Sequence, residues 1–171
     1  MRQKFRFILL SLAVLVLLAA CGDPAGNASN GPAGSSDPAG TGSFSFVTNG
    51  TEITVNENVA DVLAAIGEPK SYFEAESCAF AGLDKTYTYA GFVITTRPDG
   101  ELDFINSIRL TDDSAATQEG AYIGCTADQV RAAYGDAEGS LTGALSYVKG
   151  DTVLNFILED GVVVSIEYLP A

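Results

Sequence analysis

DVLAAIGEP, residues 61–69, and QVRAAYGDA, residues 129–137, say nearly the same thing twice within 171 residues. Val62, Ala64, Ala65 and Gly67 match Val130, Ala132, Ala133 and Gly135 at one offset. In the first copy Val59, Val62, Leu63 and Ile66 stand at i, i+3, i+4 and i+7, which is one face of a short helix. Asn58 suits its N-cap, Gly67 can take the left-handed position past its end, and Pro69 blocks continuation. In the second copy Thr126 and Gln129 have the spacing of a capping box. Val130, Ala133 and Tyr134 supply the apolar face there, and Gly135 ends it.

Working outward, the echo continues. Tyr89 matches Tyr147, and Ser107-Ile108 matches Ser165-Ile166, at a smaller offset because the second helix-to-strand connection is shorter. Strand patterns follow each helix: KTYTY, FVITT and FINSIRL after the first, LSYVK, TVLNFIL and VVVSIEYL after the second. Pro98-Asp99-Gly100 and Asp160-Gly161 are turn signals. FSFVTNGTEITV, 44–55, alternates around Asn49-Gly50, a tight-turn pair. Residues 68–86 and 114–120 read as connections. The pattern predicts an α+β domain over residues 44–171. Two tandem helix-plus-antiparallel-strand units, 44–115 and 116–171, share one sheet with the helices packed on one face. One unit alone is below the size of a self-sufficient core. Leu154, Phe156 and Leu158 are expected inward, as are Val164, Ile166 and Tyr168. Ser107, Arg109, Ser165 and Glu167 are expected on a semi-polar face open to water.

Upstream of residue 44 the composition changes twice. Residues 1–20 open with Arg2, Lys4 and Arg6 and run through an apolar centre, Phe7 to Leu18. That centre is too short for a permanent membrane span and has the marks of an export signal. Residues 22–43, GDPAGNASNGPAGSSDPAGTGS, hold no large apolar side chain and read as a linker. Loss of the first twenty residues removes three basic and no acidic groups, taking the formal charge from −13 to −16. Such a chain repels phosphate backbones, so nucleic acid is not an expected partner.

Leu18-Ala19-Ala20-Cys21 resembles the lipobox of bacterial lipoproteins. The resemblance implies cleavage between Ala20 and Cys21 and a diacylglyceryl thioether on Cys21. It also implies an extracytoplasmic domain tethered by lipid to the outer face of the cytoplasmic membrane, or to an outer membrane where one exists. The helix pattern ending in Gly (VLAAIG, VRAAYG), followed by Tyr-bearing strands, is similar to the tandem units of the β-lactamase-inhibitory-protein family. It covers nearly all of residues 51–169. A small lipoprotein of the outer-membrane assembly machinery has a similar single unit. SCAFAGLDKTYTYAGFVITT, 77–96, is also similar to domains in small lipoproteins of gut Firmicutes. In the inhibitory family the open sheet face grips a partner protein. This chain reproduces neither that family's disulfide spacing nor its enzyme-contacting residues, so β-lactamase inhibition is not implied.

Chemistry is sparse. There is no His, which removes the usual base for Ser or Cys nucleophiles and the commonest zinc ligand. No catalytic residue, metal ligand set or cofactor motif emerges, and the chain reads as a non-enzyme. Asp112-Asp113 and Asp99-Gly100-Glu101-Leu102-Asp103 lack calcium-loop spacing and read as solvated turns. Cys78 and Cys125 are the thiols left in the domain. An oxidising compartment favours their pairing, with two separate buried thiols, or a reactive Cys125 at a helix start, as the alternatives. Tyr72, Phe73, Phe80, Tyr87, Tyr89, Phe92 and Tyr147 gather on the connections and first strands. Tyr87, Tyr89 and Tyr147 are the expected binding surface, because tyrosine anchors interfaces when it faces water. The expected role is noncatalytic binding of a protein, peptide or envelope polymer through the open sheet face. The alternative is a structural or assembly lipoprotein of the envelope.

Overall fold

The computed structural model of the chain describes residues 42–141 and 143–171. The export signal, Leu18–Cys21 and most of the linker lie outside them. Ten strands and two helices occur among the described residues. They are β1 (Phe46–Thr48), β2 (Thr51–Ile53), α1 (Val59–Ile66), β3 (Ser71–Glu76), β4 (Leu83–Thr88), β5 (Phe92–Asp99) and β6 (Leu102–Leu110). There follow α2 (Ala127–Tyr134), β7 (Gly139–Leu141), β8 (Ala144–Lys149), β9 (Thr152–Glu159) and β10 (Val162–Pro170). Strands β1 and β2 form a hairpin of their own, and the other eight form one antiparallel sheet in the order β3-β4-β5-β6-β10-β9-β8-β7.

This is a mainly antiparallel β fold, and the expected pair of helix-plus-strand units is not its description. Each helix has only eight residues, about 12 Å of length. Val59 and Val62 are the buried residues of α1, and Val130 is that of α2. Two such helices cannot form the second layer of a domain. The buried mass comes from the sheet and from the β1–β2 hairpin lying on it. Period-3.6 spacing marked where helices start and stop. It did not measure how little they bury against eight strands patterned at period two.

One line of paired residues shows the core face: Tyr87, Ile94, Ile108, Tyr168, Leu154 and Tyr147 stand opposite one another across β4, β5, β6, β10, β9 and β8. All six are buried. A second line, Phe92, Leu110, Ile166, Phe156 and Leu145, runs beside it and is buried as well. Phe46 of the hairpin closes over this face, its ring 4.9 Å from Phe92 and 6.3 Å from Tyr168. The segment before α2 ties the hairpin down, with Gln118 Nε2 donating to Ser45 Oγ. Gly150, at φ 57°, closes the β8–β9 turn where an added Cβ would stand 3.1 Å from Ser43 Cα, so the start of the domain leaves room for nothing larger.

The echoed residues share local tasks. Asn58 caps α1 by accepting from Ala60 N–H at 3.0 Å, and Thr126 with Gln129 completes the capping box on α2. Such caps contribute roughly 1 kcal/mol each. Gly67 and Gly135 end the helices at φ 85° and 82°. Both β6 and β10 carry a one-residue bulge just before the matched Ser-Ile, at Asn106 and Val164. The second bulge corrects one expectation: Val163 turns in and Val164 turns out, 40% exposed, because the extra residue shifts the alternation.

Candidate functional site

A sheet has two faces, and both helices and the hairpin occupy one of them. The other is lined across its centre by Ser71, Thr88, Val93, Arg109, Glu167, Asn155 and Ser146, opposed strand by strand from β3 to β8. The next line holds Phe73, Thr86, Thr95 and Ser107, with the Thr95 and Ser107 hydroxyls 2.7 Å apart. Aliphatic side chains that a covering layer would bury stay in water here, among them Val148 at 43%, Ile157 at 39% and Val164 at 40% exposure. The surface is hydroxyl-rich with isolated apolar points. That composition keeps an open antiparallel sheet soluble and offers hydrogen bonds and contact area to a ligand.

At the β4–β6 end this face is concave. The turn after β3 folds toward it, and a cavity of about 220 Å³ forms among Ser77, Phe80, Asp84, Thr86, Thr95, Arg97 and Asn106. The Arg97 guanidinium lies 5.9 Å from the Phe80 ring centre and 5.5 Å from that of Phe104. Two aromatic faces hold the cation in place while it keeps donors to offer. Nearby, Lys85 Nζ is 2.6 Å from Asp103 on the packed side of the same strands. Hydrogen bonding to Asp103 raises the Lys85 pKa and keeps it charged. A larger groove, about 580 Å³, runs along the packed side of the β3 edge between the end of α1 and Tyr72 and Tyr87.

The tyrosines named from the sequence are placed elsewhere. Tyr87 and Tyr147 are 8% and 4% exposed on the packed face. Tyr89, half-buried just after β4, stacks on Phe92 at 4.9 Å. The Tyr89 hydroxyl donates to Gly67 O at 2.8 Å, and that of Tyr147 to Gly135 O at 3.0 Å. Each therefore satisfies a carbonyl at the end of a helix. Burial raises the pKa of all three. In these positions they serve the fold, and the uncovered face does not carry them. Alternation told which residues share a face, and not which face the helices would take.

Among the described residues Cys78 and Cys125 are both unbridged, Cys78 exposed in the turn after β3 and Cys125 buried before α2. The expected bridge is absent because these segments serve different ends of the fold. Cys125 is pinned under β10, its carbonyl accepting from Val163 N–H at 2.9 Å. The turn carrying Cys78 reaches instead toward Arg97 on the other face. Asp112 accepts from Ser114 N–H at 2.9 Å and from the Ser114 hydroxyl, which lowers its pKa and defines a polar turn. Among the described residues no three Cys, Asp or Glu side chains converge as a metal site would require.

The residues of the uncovered face that the sequence does not single out are Arg97 and Phe104, while Phe73 is named among the aromatics but not placed on the expected surface. Phe73 sits in a stretch read as a connection, although SYFEAE pairs as a strand along its whole length. Arg97 and Phe104 face each other across β5 and β6, a neighbourhood that exists only once the register is set.

No helix among the described residues is long and apolar enough to cross a membrane. No family model matches the chain, and no curated protein matches it. A solved structure similar to it is that of YjgB, a DUF4309 family protein from Bacillus subtilis subsp. subtilis str. 168. The two are 18% identical with a TM-score of 0.41, over 67% of this chain and 78% of that one.

Proposed function

We propose that the chain is a noncatalytic extracytoplasmic binding module, lipid-anchored through Cys21, that holds a protein, peptide or envelope-polymer segment on the uncovered sheet face. The observation that carries this reading is that face itself. Seven strands, from β3 to β8 in sheet order, present hydroxyls, spaced aliphatic side chains and a cavity built on Arg97, and the described helices and hairpin pack on the other side. An extended segment with both hydrogen-bonding and apolar groups suits such a surface, since sheet faces bind by many small contacts around a few anchors. A linker of the composition of residues 22–43 spans roughly 25 Å, enough to hold the module clear of a membrane.

The test uses the full-length chain in the cells that make it, with a photoreactive residue in place of Thr95, Ile157 or Ala64. Thr95 and Ile157 lie on the uncovered face, and Ala64 is exposed on α1 across the sheet. Adducts are expected from the first two positions and not from the third. Cys21→Ser is expected to move the protein from the membrane to the soluble fraction. Labelling from Ala64 alone, or equally from all three, would sink the assignment of the face. An unchanged membrane fraction for Cys21→Ser would sink the anchor.

A further inference from the structure

Among the described residues strand β3 is one free edge of the eight-stranded sheet, and all six of its residues are exposed. Phe73 is 65% exposed and Tyr72 49%. An edge strand of this length presents unpaired N–H and C=O groups to any strand that fits, and natural edges are usually guarded by charge. Here the charges are Glu74 and Glu76 on the strand and Lys70 just before it. The Lys70 N–H bonds Thr88 O at 2.7 Å, extending the ladder by one residue.

We propose that β3 pairs antiparallel with β3 of a second copy of this chain, with Phe73 opposite Phe73. Directly opposed residues of antiparallel strands point to the same side. A two-fold axis normal to the sheet, which keeps packed face beside packed face, must therefore pass through a residue and not between two. That leaves few registers, and charge selects among them. Centred on Phe73, Lys70 stands opposite Glu76 twice, Tyr72 opposite Glu74 twice, and no like charges meet. Centred on Tyr72, Glu68 meets Glu76; centred on Glu74, that residue meets itself; centred on Ala75, Glu74 meets Glu76. The same carboxylates that guard the edge against arbitrary strands admit this one alignment.

Exposed Lys–Glu pairs add little attraction of their own, so they set register. Attraction comes from main-chain hydrogen bonds and from the two phenylalanine rings meeting on the uncovered face. A six-residue edge makes a small, weak-class interface, which suits copies confined to one surface. The pairing joins two uncovered faces into one continuous surface. It does not depend on what that surface binds.

Opposed residues have Cα atoms roughly 4.5–5.5 Å apart, within disulfide reach, so covalent capture tests the register. The full-length chain carries Cys78→Ser, to remove the exposed thiol, together with Phe73→Cys, and is oxidised in the cells that express it. Leu102→Cys in the same background is the control, because Leu102 is also exposed, at 49%, on the uncovered face. A disulfide-linked homodimer is expected at about ten times the yield of the control and of Cys78→Ser alone. Adding Glu76→Lys should cut that yield several-fold, and adding Lys70→Glu as well should restore it. A yield at position 73 no higher than at 102, a mixed disulfide with another protein, or a dimer indifferent to the charge exchange would each overturn the proposal.

Discussion

Truncating Phe46 to alanine is expected to cost about 3–5 kcal/mol of folding stability, a large part of what a domain of this size holds. Phe46 is 2% exposed, so its ring is almost wholly withdrawn from water. The position matters more than the residue type. Its ring lies 4.9 Å from Phe92 on β5 and 6.3 Å from Tyr168 on β10, and those strands are separated by β6. The β1–β2 hairpin therefore bears on the seam where β6 meets β10, a ladder pinned at Ile108–Tyr168, Arg109–Glu167 and Leu110–Ile166. Nothing nearby can collapse into the hole, because Ile94, Ile108 and Ile166 are already fully buried in the sheet below. The measurement is a urea midpoint with an unchanged slope against denaturant. Val47→Ala, on the same strand but 42% exposed, should stay within about 0.5 kcal/mol of the parent. A loss under about 1 kcal/mol for Phe46→Ala would make the hairpin an ornament on the sheet and not part of its core.

That dependence explains what could be read in the sequence. Caps, turns and strand alternation are local: Asn58, Thr126–Gln129, Asn49-Gly50 and Asp160-Gly161 each act within a few residues, and each is found at the end or turn it marks. The weight of helix against sheet is not local. Val59, Val62 and Val130 give clear periodicity in two helices, yet the core is decided by how many β residues stack behind them. The direction of a face is not local either. Tyr87 and Tyr147 alternate correctly with their neighbours, but only the tertiary fold shows that the helix ends at Gly67 and Gly135 lie over that side. Bulges stayed hidden because one extra residue, Val164 or Asn106, leaves no compositional trace. The candidate surface was legible as a kind, through Ser107, Arg109, Ser165 and Glu167. Its concave end, where Phe80, Arg97 and Phe104 converge, depends on pairing across three segments.

Alkaline pH should unfold the protein steeply, and Tyr168→Phe should blunt the effect. Tyr168 is 1% exposed, and burial, reinforced by the Glu119 charge, pushes its pKa well above the ordinary tyrosine value. Tyr134 moves the same way, through burial first and then through its hydroxyl donating to the Glu119 carboxylate at 2.5 Å, with Thr117 Oγ1 2.6 Å away as an opposing influence. Ionising either would place an uncompensated negative charge beside Glu119. The sign follows from proton binding: above pH ~10 the unfolded chain releases tyrosine protons that the folded chain keeps, so stability falls as pH rises. Below pH ~10 both states keep them and these groups add no slope. Each tyrosine held protonated removes about 1.4 kcal/mol per pH unit, so Tyr134 and Tyr168 together remove about 5 kcal/mol between pH 10 and 12. Among the described residues the Tyr168 hydroxyl has no hydrogen-bond partner, so replacing it with hydrogen should already stabilise the fold by about 1 kcal/mol near neutrality. The gap between variant and parent should then widen by about 1.4 kcal/mol for each pH unit above ~10. Urea midpoints for both proteins across this range, followed alongside tyrosinate absorbance, make the check. Parallel stability curves, or tyrosines that all ionise at their ordinary pH while the sheet stays folded, would show that Tyr168 and Tyr134 are reached by water and are not the sealed floor of the core.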